Sequence, residues 1–296
     1  MIDAETIKIA ERRSPTRRDE FARRLRAGSE TGAPREFSDR SLPPISRSLL
    51  RLFSWYSRRY VRRHFHSLRV SRATQFPSQV DMPLVIFSNH ASWWDPLAGL
   101  LIARKSFPER KLYVPMDAQA LERYAFFKRL GVFGVEQNTP RGAAKFLRVA
   151  RDILNRSESV LWLTPHARFA DVREQPGRFK PGIGHLPRLG PQICFLSVAI
   201  EYTFWEERLP EILIRFGAPR ITRGDGPGDT MRWTDRFSGD LSETQSALAA
   251  EVVRRNPGDF ENLLSGRSGV GGIYDCWRAF KARVAGQEFH SEHGKL

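Results

Sequence analysis

Short apolar runs separated by helical stretches constrain this chain more than any other feature. Leu84–Ser88 is apolar on successive residues and too short for a helix, which is the pattern of a buried strand. Similar runs predict strands at 111–114, 131–135, 160–163, 193–200 and 211–216, with helical stretches such as 141–155 between them. Strands that alternate with helices predict an α/β fold with a largely parallel central sheet flanked by helices.

The ends of the chain read differently. Residues 1–42 carry Arg12, Arg13, Arg17, Arg18, Arg23, Arg24 and Arg26 with few large apolar side chains, so this basic tail is expected to be disordered apart from a weak helix at 19–26. After Pro43 and Pro44, the residues Ile45, Leu49, Leu52, Phe53, Tyr56 and Tyr60 recur at helical spacing, with Arg47, Arg51, Arg58 and Arg62 opposite. Residues 43–70 are therefore expected to form an amphipathic helical segment that either lies on a membrane or packs its stripe on the domain. The remaining 71–296 form the expected catalytic domain. It should include a helix at 241–255 ended by Pro257, a glycine-rich loop at 265–272, and a last helix at 273–284 that docks Trp277 and Phe280.

The 48 Lys and Arg against 33 Asp and Glu leave a net charge of +15, which favours phosphate-rich partners such as nucleic acid, an anionic membrane or phosphorylated substrates. A nucleic-acid-binding protein of this charge should show a recognition helix, an aromatic stacking platform or a zinc finger, and the sequence offers none. The hydrophobic fraction of 41% and seven tryptophans suffice for a packed core. Cys194 and Cys276 lie far apart and read as buried small hydrophobes in a reducing compartment. The first residues lack the apolar core of a signal peptide, and no window approaches the roughly 18 apolar residues of a spanning helix. Membrane contact, on this reading, is peripheral and on the cytoplasmic face.

The segment Asn89-His90-Ala91-Ser92-Trp93-Trp94-Asp95-Pro96 falls where a strand ends and a helix begins. Ligand and catalytic groups gather at the carboxyl ends of strands in open α/β sheets. A carboxylate at the helix start can accept from one nitrogen of His90 and leave the other free to take a proton. The same two residues would also suit a loop hydrogen bond and a helix N-cap. The other candidates are weaker. Residues 180–185, with two glycines beside Pro181, read as a turn rather than a phosphate cradle. His64 and His66, read as two positions of one helix, point apart, and no metal-binding set emerges.

Asn-His followed four residues later by Asp, after an apolar strand, resembles the first signature block of the glycerolipid acyltransferase family, which includes the lysophosphatidic acid acyltransferases. The resemblance runs from about Ile45 to Ile200. It implies an acyltransferase of lipid metabolism in which His90 is the general base and Asp95 its partner. It implies acyl-CoA or acyl carrier protein as co-substrate, a lipid hydroxyl as acceptor, an anionic membrane as partner, and no bound cofactor or metal. Asn89, Gln137, His166 and Arg168 fall in the family's blocks and are the expected substrate contacts.

The later blocks depart from the family pattern. Gln137 stands where members have Arg, Pro165-His166-Ala167-Arg168 replaces Pro-Glu-Gly-Thr-Arg, and Ser197 replaces a proline. The residues lost at the second and third blocks are those the family associates with a glycerol-phosphate acceptor. An acceptor without a phosphate monoester, such as a glycolipid, an amino-acid lipid or a glycosylated isoprenoid, is the alternative this implies. A catalytically inactive lipid-binding protein is the second. Arg168, Arg141 and Arg173 are candidates to replace a lost phosphate contact.

Overall fold

A computed structural model describes residues 42–73, 81–174, 179–224 and 229–267. The basic tail with its 19–26 helix, Cys276 and the helix expected at 273–284 lie outside them. The described residues form a nine-stranded sheet in the order β4-β3-β5-β2-β6-β7-β1-β9, with β8 paired to β6. The strands are β1 (Ser67–Ser71), β2 (Leu84–Ser88), β3 (Lys111–Asp117), β4 (Val132–Val135), β5 (Ser159–Leu163), β6 (Gln192–Thr203), β7 (Glu211–Phe216), β8 (Arg220–Arg223) and β9 (Phe260–Ser265). The centre is parallel, as expected: β2 pairs in parallel with both β5 and β6, and β3 with β4 and β5. The antiparallel pairs, β6 with β7 and with β8 and β1 with β9, lie toward one end of the order.

Helices cover both faces. Even positions of the central strands (Leu84, Ile86, Val160, Trp162, Cys194, Leu196) join a core with α1 (Arg47–His64) and α2 (Asp95–Ser106). Odd positions (Val85, Phe87, Leu161, Leu163, Ile193, Phe195) pack against α4 (Pro140–Leu154), the 3-10 helix Pro181–Arg188 and α5 (Thr230–Arg254). The short α3 (Ala118–Arg123) follows β3. The period of two, with both sets apolar, explains why these strands read as uninterrupted runs. Burial pushes the Cys194 thiol up to about 11, so this side chain serves as core and not as a nucleophile.

Helix starts follow local chemistry. Ser46 caps α1, Thr139 caps α4 ahead of Pro140, and Asp229 caps α5, each accepting from a first-turn amide. Gly131, which opens the second block, sits at φ +82°, and a Cβ there would meet the Leu112 carbonyl at 2.3 Å. Its amide donates to the Pro44 carbonyl, and Ile45 bridges Leu130, so the chain before α1 is tied to the start of β4.

Several sequence expectations change. The helical pattern expected over 43–70 ends at His64, and Ser67–Ser71 is a strand, parallel to β7. His64 and His66 therefore do not share a helix. Ile45 precedes α1 instead of starting it. The helix expected at 241–255 begins at Thr230, because Asp229 supplies a cap that apolar periodicity does not register. Residues 181–188 form a 3-10 helix and not a simple turn, and β8 and β9 are further strands. Those two are short, partly exposed edge elements with no continuous apolar run.

Helix α1 also uses a different face from the one its aromatics suggest. Leu50, Ser54, Ser57 and Val61 turn toward the protein, with Ser54 and Ser57 donating to the carbonyls of Leu50 and Phe53. Small hydroxyl side chains that satisfy themselves on their own helix can be buried against α2 without an orphaned donor. The aromatic stripe is thereby displaced to the flank: Leu52 is 60% exposed, Trp55 60% and Tyr56 47%.

Candidate active site

At the carboxyl end of β2 the chain leaves the sheet through Asn89 and His90 and re-enters regular structure at Asp95, the first residue of α2. His90 Nδ1 lies 2.6 Å from Asp95 Oδ2. The backbone amide of Ser92 donates to the same oxygen at 3.2 Å, and the Tyr202 hydroxyl donates to Oδ1 at 2.7 Å. Both carboxylate oxygens are thus held while the His90 side chain stays 22% exposed. With Asp95 accepting at Nδ1, that nitrogen carries the proton and Nε2 presents a lone pair. A ring fixed in this way can take a proton from a hydroxyl at Nε2 and spread the resulting charge toward the carboxylate.

The surrounding structure holds the pair in place. Asn89 Nδ2 donates to the Ile200 carbonyl at 2.8 Å, and Asn89 Oδ1 accepts from the Ile200 amide at 2.9 Å. The register Ser88↔Val198 ends the backbone ladder between β2 and β6, and the Asn89 amide side chain continues it by one rung. Asn89 is one of the expected substrate contacts; here its side chain is buried and its amide is occupied by the sheet. The Ser88 hydroxyl accepts from Trp162 Nε1 at 3.0 Å, which ties β2 to β5 just below. Phe169 packs against the His90 ring, tilted by 33° with centroids 4.1 Å apart, and the Ala170 amide donates to the His90 carbonyl at 3.0 Å.

The loop after β5 carries two more expected residues. Thr164 to Ala167 form a turn, with Ala167 at φ +54°. Half-buried His166 packs edge-to-face on Phe179 at 4.8 Å. Arg168 is exposed and pairs with Glu174, its two guanidinium nitrogens reaching the two carboxylate oxygens at 3.3 and 2.5 Å. The hydrogen bond raises the guanidinium pKa and holds the Glu174 carboxyl below its usual range. Gln137 lies on the exposed turn after β4, with β3 and β5 between its strand and β2. The structure therefore brings His90 and Asp95 together and sets the Arg168 loop beside them, while Gln137 stands apart.

Sequence reading missed Tyr202, the Ser92 amide and Phe169. Tyr202 is 107 residues from Asp95 in the chain, and only the β2–β6 pairing joins them. Burial first, then the Asp95 carboxylate, pushes its phenol pKa well above the usual value, so the hydroxyl stays a donor. On the same strand, burial raises the Glu201 carboxyl pKa, opposed by Arg173.

An exposed apolar surface adjoins the site. From Tyr56 on α1 a series of ring contacts runs through Phe53, Phe127 and Tyr124 to Trp93, inside the loop between His90 and Asp95. Phe126 and Trp93 are exposed, as are Leu52 and Trp55. Among the described residues no helix is long and apolar enough to cross a membrane.

A largely parallel α/β sheet bearing a histidine-carboxylate pair at the end of a central strand defines an enzyme-like site suited to proton transfer. Residues 67–201 match the family model for acyltransferases, a segment that begins with β1 and includes His90 and Asp95. The matched segment is thus similar to the acyltransferase family, the glycerolipid acyltransferases, whose general activity is the transfer of acyl groups. A search of curated proteins finds no match to the chain.

Proposed function

We propose that the protein moves a fatty acyl group from acyl-CoA or acyl carrier protein to a lipid hydroxyl at a membrane surface. His90 Nε2 removes the hydroxyl proton as the oxygen attacks the thioester carbonyl. The tetrahedral intermediate then collapses, the C–S bond breaks, and the imidazolium returns the proton to the departing thiolate. Asp95 holds the tautomer and stabilises the imidazolium, as a carboxylate does in hydrolase triads, without itself taking the proton. The 2.6 Å contact between His90 Nδ1 and Asp95 Oδ2, on a partly exposed ring at a strand end, is the observation that carries this reading.

An acceptor without a phosphate monoester is a second reading with its own support. A dianionic head group calls for charge-assisted contacts. Gln137 is uncharged, His166 packs on Phe179, and Glu174 already occupies Arg168. The apolar flank of α1, with Arg51, Arg58, Arg59, Arg62 and Arg63 exposed beside it, supports docking on an anionic membrane at its cytoplasmic face. The series of rings from Tyr56 to Trp93 gives a lipid acceptor an apolar route from that face to the His90 loop.

Radiolabelled palmitoyl-CoA or palmitoyl acyl carrier protein, supplied with a panel of lysophospholipids, glycolipids and amino-acid lipids in vesicles, tests the proposal. A labelled lipid ester that forms with the native protein and not with His90→Ala is the expected result. No product with any acceptor and either donor would favour the inactive lipid-binding alternative.

A further inference from the structure

We infer that Tyr202 is a positioning residue for the His90–Asp95 pair, which fixes the orientation of the Asp95 carboxylate and with it the Nδ1–H tautomer of the imidazole. This rests on the reading of His90 as general base. A carboxylate hinged at one carbon can turn either oxygen to a neighbour. Here the Tyr202 hydroxyl occupies Oδ1 at 2.7 Å, the Ser92 amide meets Oδ2 at 3.2 Å, and His90 Nδ1 meets Oδ2 at 2.6 Å. The phenol is itself fixed, because its ring packs on Phe65 at 5.9 Å in a cluster with Trp94, and its backbone belongs to β6.

The chemical consequence is one of orientation. Loss of the donor on Oδ1 frees the carboxylate to rotate, so the neutral ring no longer favours the Nδ1–H tautomer alone.

Other charged groups lie near without making this contact. Glu201 precedes Tyr202 on the opposite face of β6, with Arg173 and Asp171 nearby, and Arg168 and Glu174 pair on the loop that carries Phe169. Tyr60 of α1 packs on Trp94, and His64 stacks on Tyr60. None of these changes in Tyr202→Phe.

The test is the nitrogen-15 NMR spectrum of the neutral His90 ring in native protein, Tyr202→Phe and Asp95→Asn, with His90→Ala used to assign the signal. A native ring in the Nδ1–H tautomer that becomes a mixture of both tautomers in Tyr202→Phe, as in Asp95→Asn, supports the inference. A Tyr202→Phe ring that keeps the single Nδ1–H tautomer of the native protein would overturn it. The base reading is judged separately by acyl transfer from palmitoyl-CoA: if His90→Ala keeps activity, that reading fails whatever the spectrum shows.

Discussion

Replacement of Asn89 by Ala distinguishes a residue that binds substrate from one that builds the site. Asn89 is 3% exposed, and its amide is the partner of both the amide and the carbonyl of Ile200 on the β2 side. Alanine leaves those two groups buried and unpaired. Each orphaned buried group costs about 1–3 kcal/mol, so the variant should lose roughly 2–6 kcal/mol against a total stability on the order of 5–15 kcal/mol. Urea unfolding followed by circular dichroism measures this. With a slope of about 3 kcal/mol/M, the midpoint should fall by about 1 M or somewhat more. Because His90 follows directly in the chain, acyl transfer should fall through kcat more than through KM. A midpoint within about 0.2 M of native, together with a raised KM and an unchanged kcat, would refute the argument and return Asn89 to the substrate.

His90→Ala should lower acyl transfer by at least about a hundredfold, the scale of a lost general base, while the unfolding midpoint stays near native; a collapse of the fold would show that the ring packs rather than reacts. Glu174→Gln releases Arg168 from its ion pair and should lower KM for lysophosphatidic acid severalfold with little change for an uncharged acceptor, as measured by initial rates with both. Reversal of Arg51, Arg58 and Arg62 to Glu should weaken binding to anionic vesicles by about a hundredfold or more, since each basic residue near such a surface contributes about 1 kcal/mol. Co-sedimentation in which neutral and anionic vesicles bind equally would rule out that electrostatic contribution. Leu52→Ser with Trp55→Ser should weaken binding to both kinds of vesicle, because it removes apolar insertion and leaves the charge.

The central strands and the His90–Asp95 pair were legible because their causes are local. Leu84–Ser88 is apolar on successive residues because both faces of β2 are covered, and a five-residue separation across a strand-to-helix junction lets a histidine reach a first-turn carboxylate. The edges were less legible. β8 and β9 are partly exposed, and β1 lay beneath the trailing arginines of a helical pattern. For α1 the periodicity fixed a helix but not the face it buries, since Ser54 and Ser57 become core residues only once α2 lies close against them and their hydroxyls turn back on the helix. Asn89 shows the same limit at the site: its identity fitted a ligand contact, and only the point where the β2–β6 ladder runs out gives its amide the Ile200 backbone to complete. The sequence by itself determined an α/β sheet, a histidine-carboxylate pair at the end of one strand and a basic amphipathic helix before it, because each is encoded within a few residues. Tertiary structure alone decided that Tyr202 completes the Asp95 carboxylate and that the Asn89 amide pairs with the Ile200 backbone. Hydrogen bonds of that kind depend on where strands and loops meet, and no spacing along the chain records it.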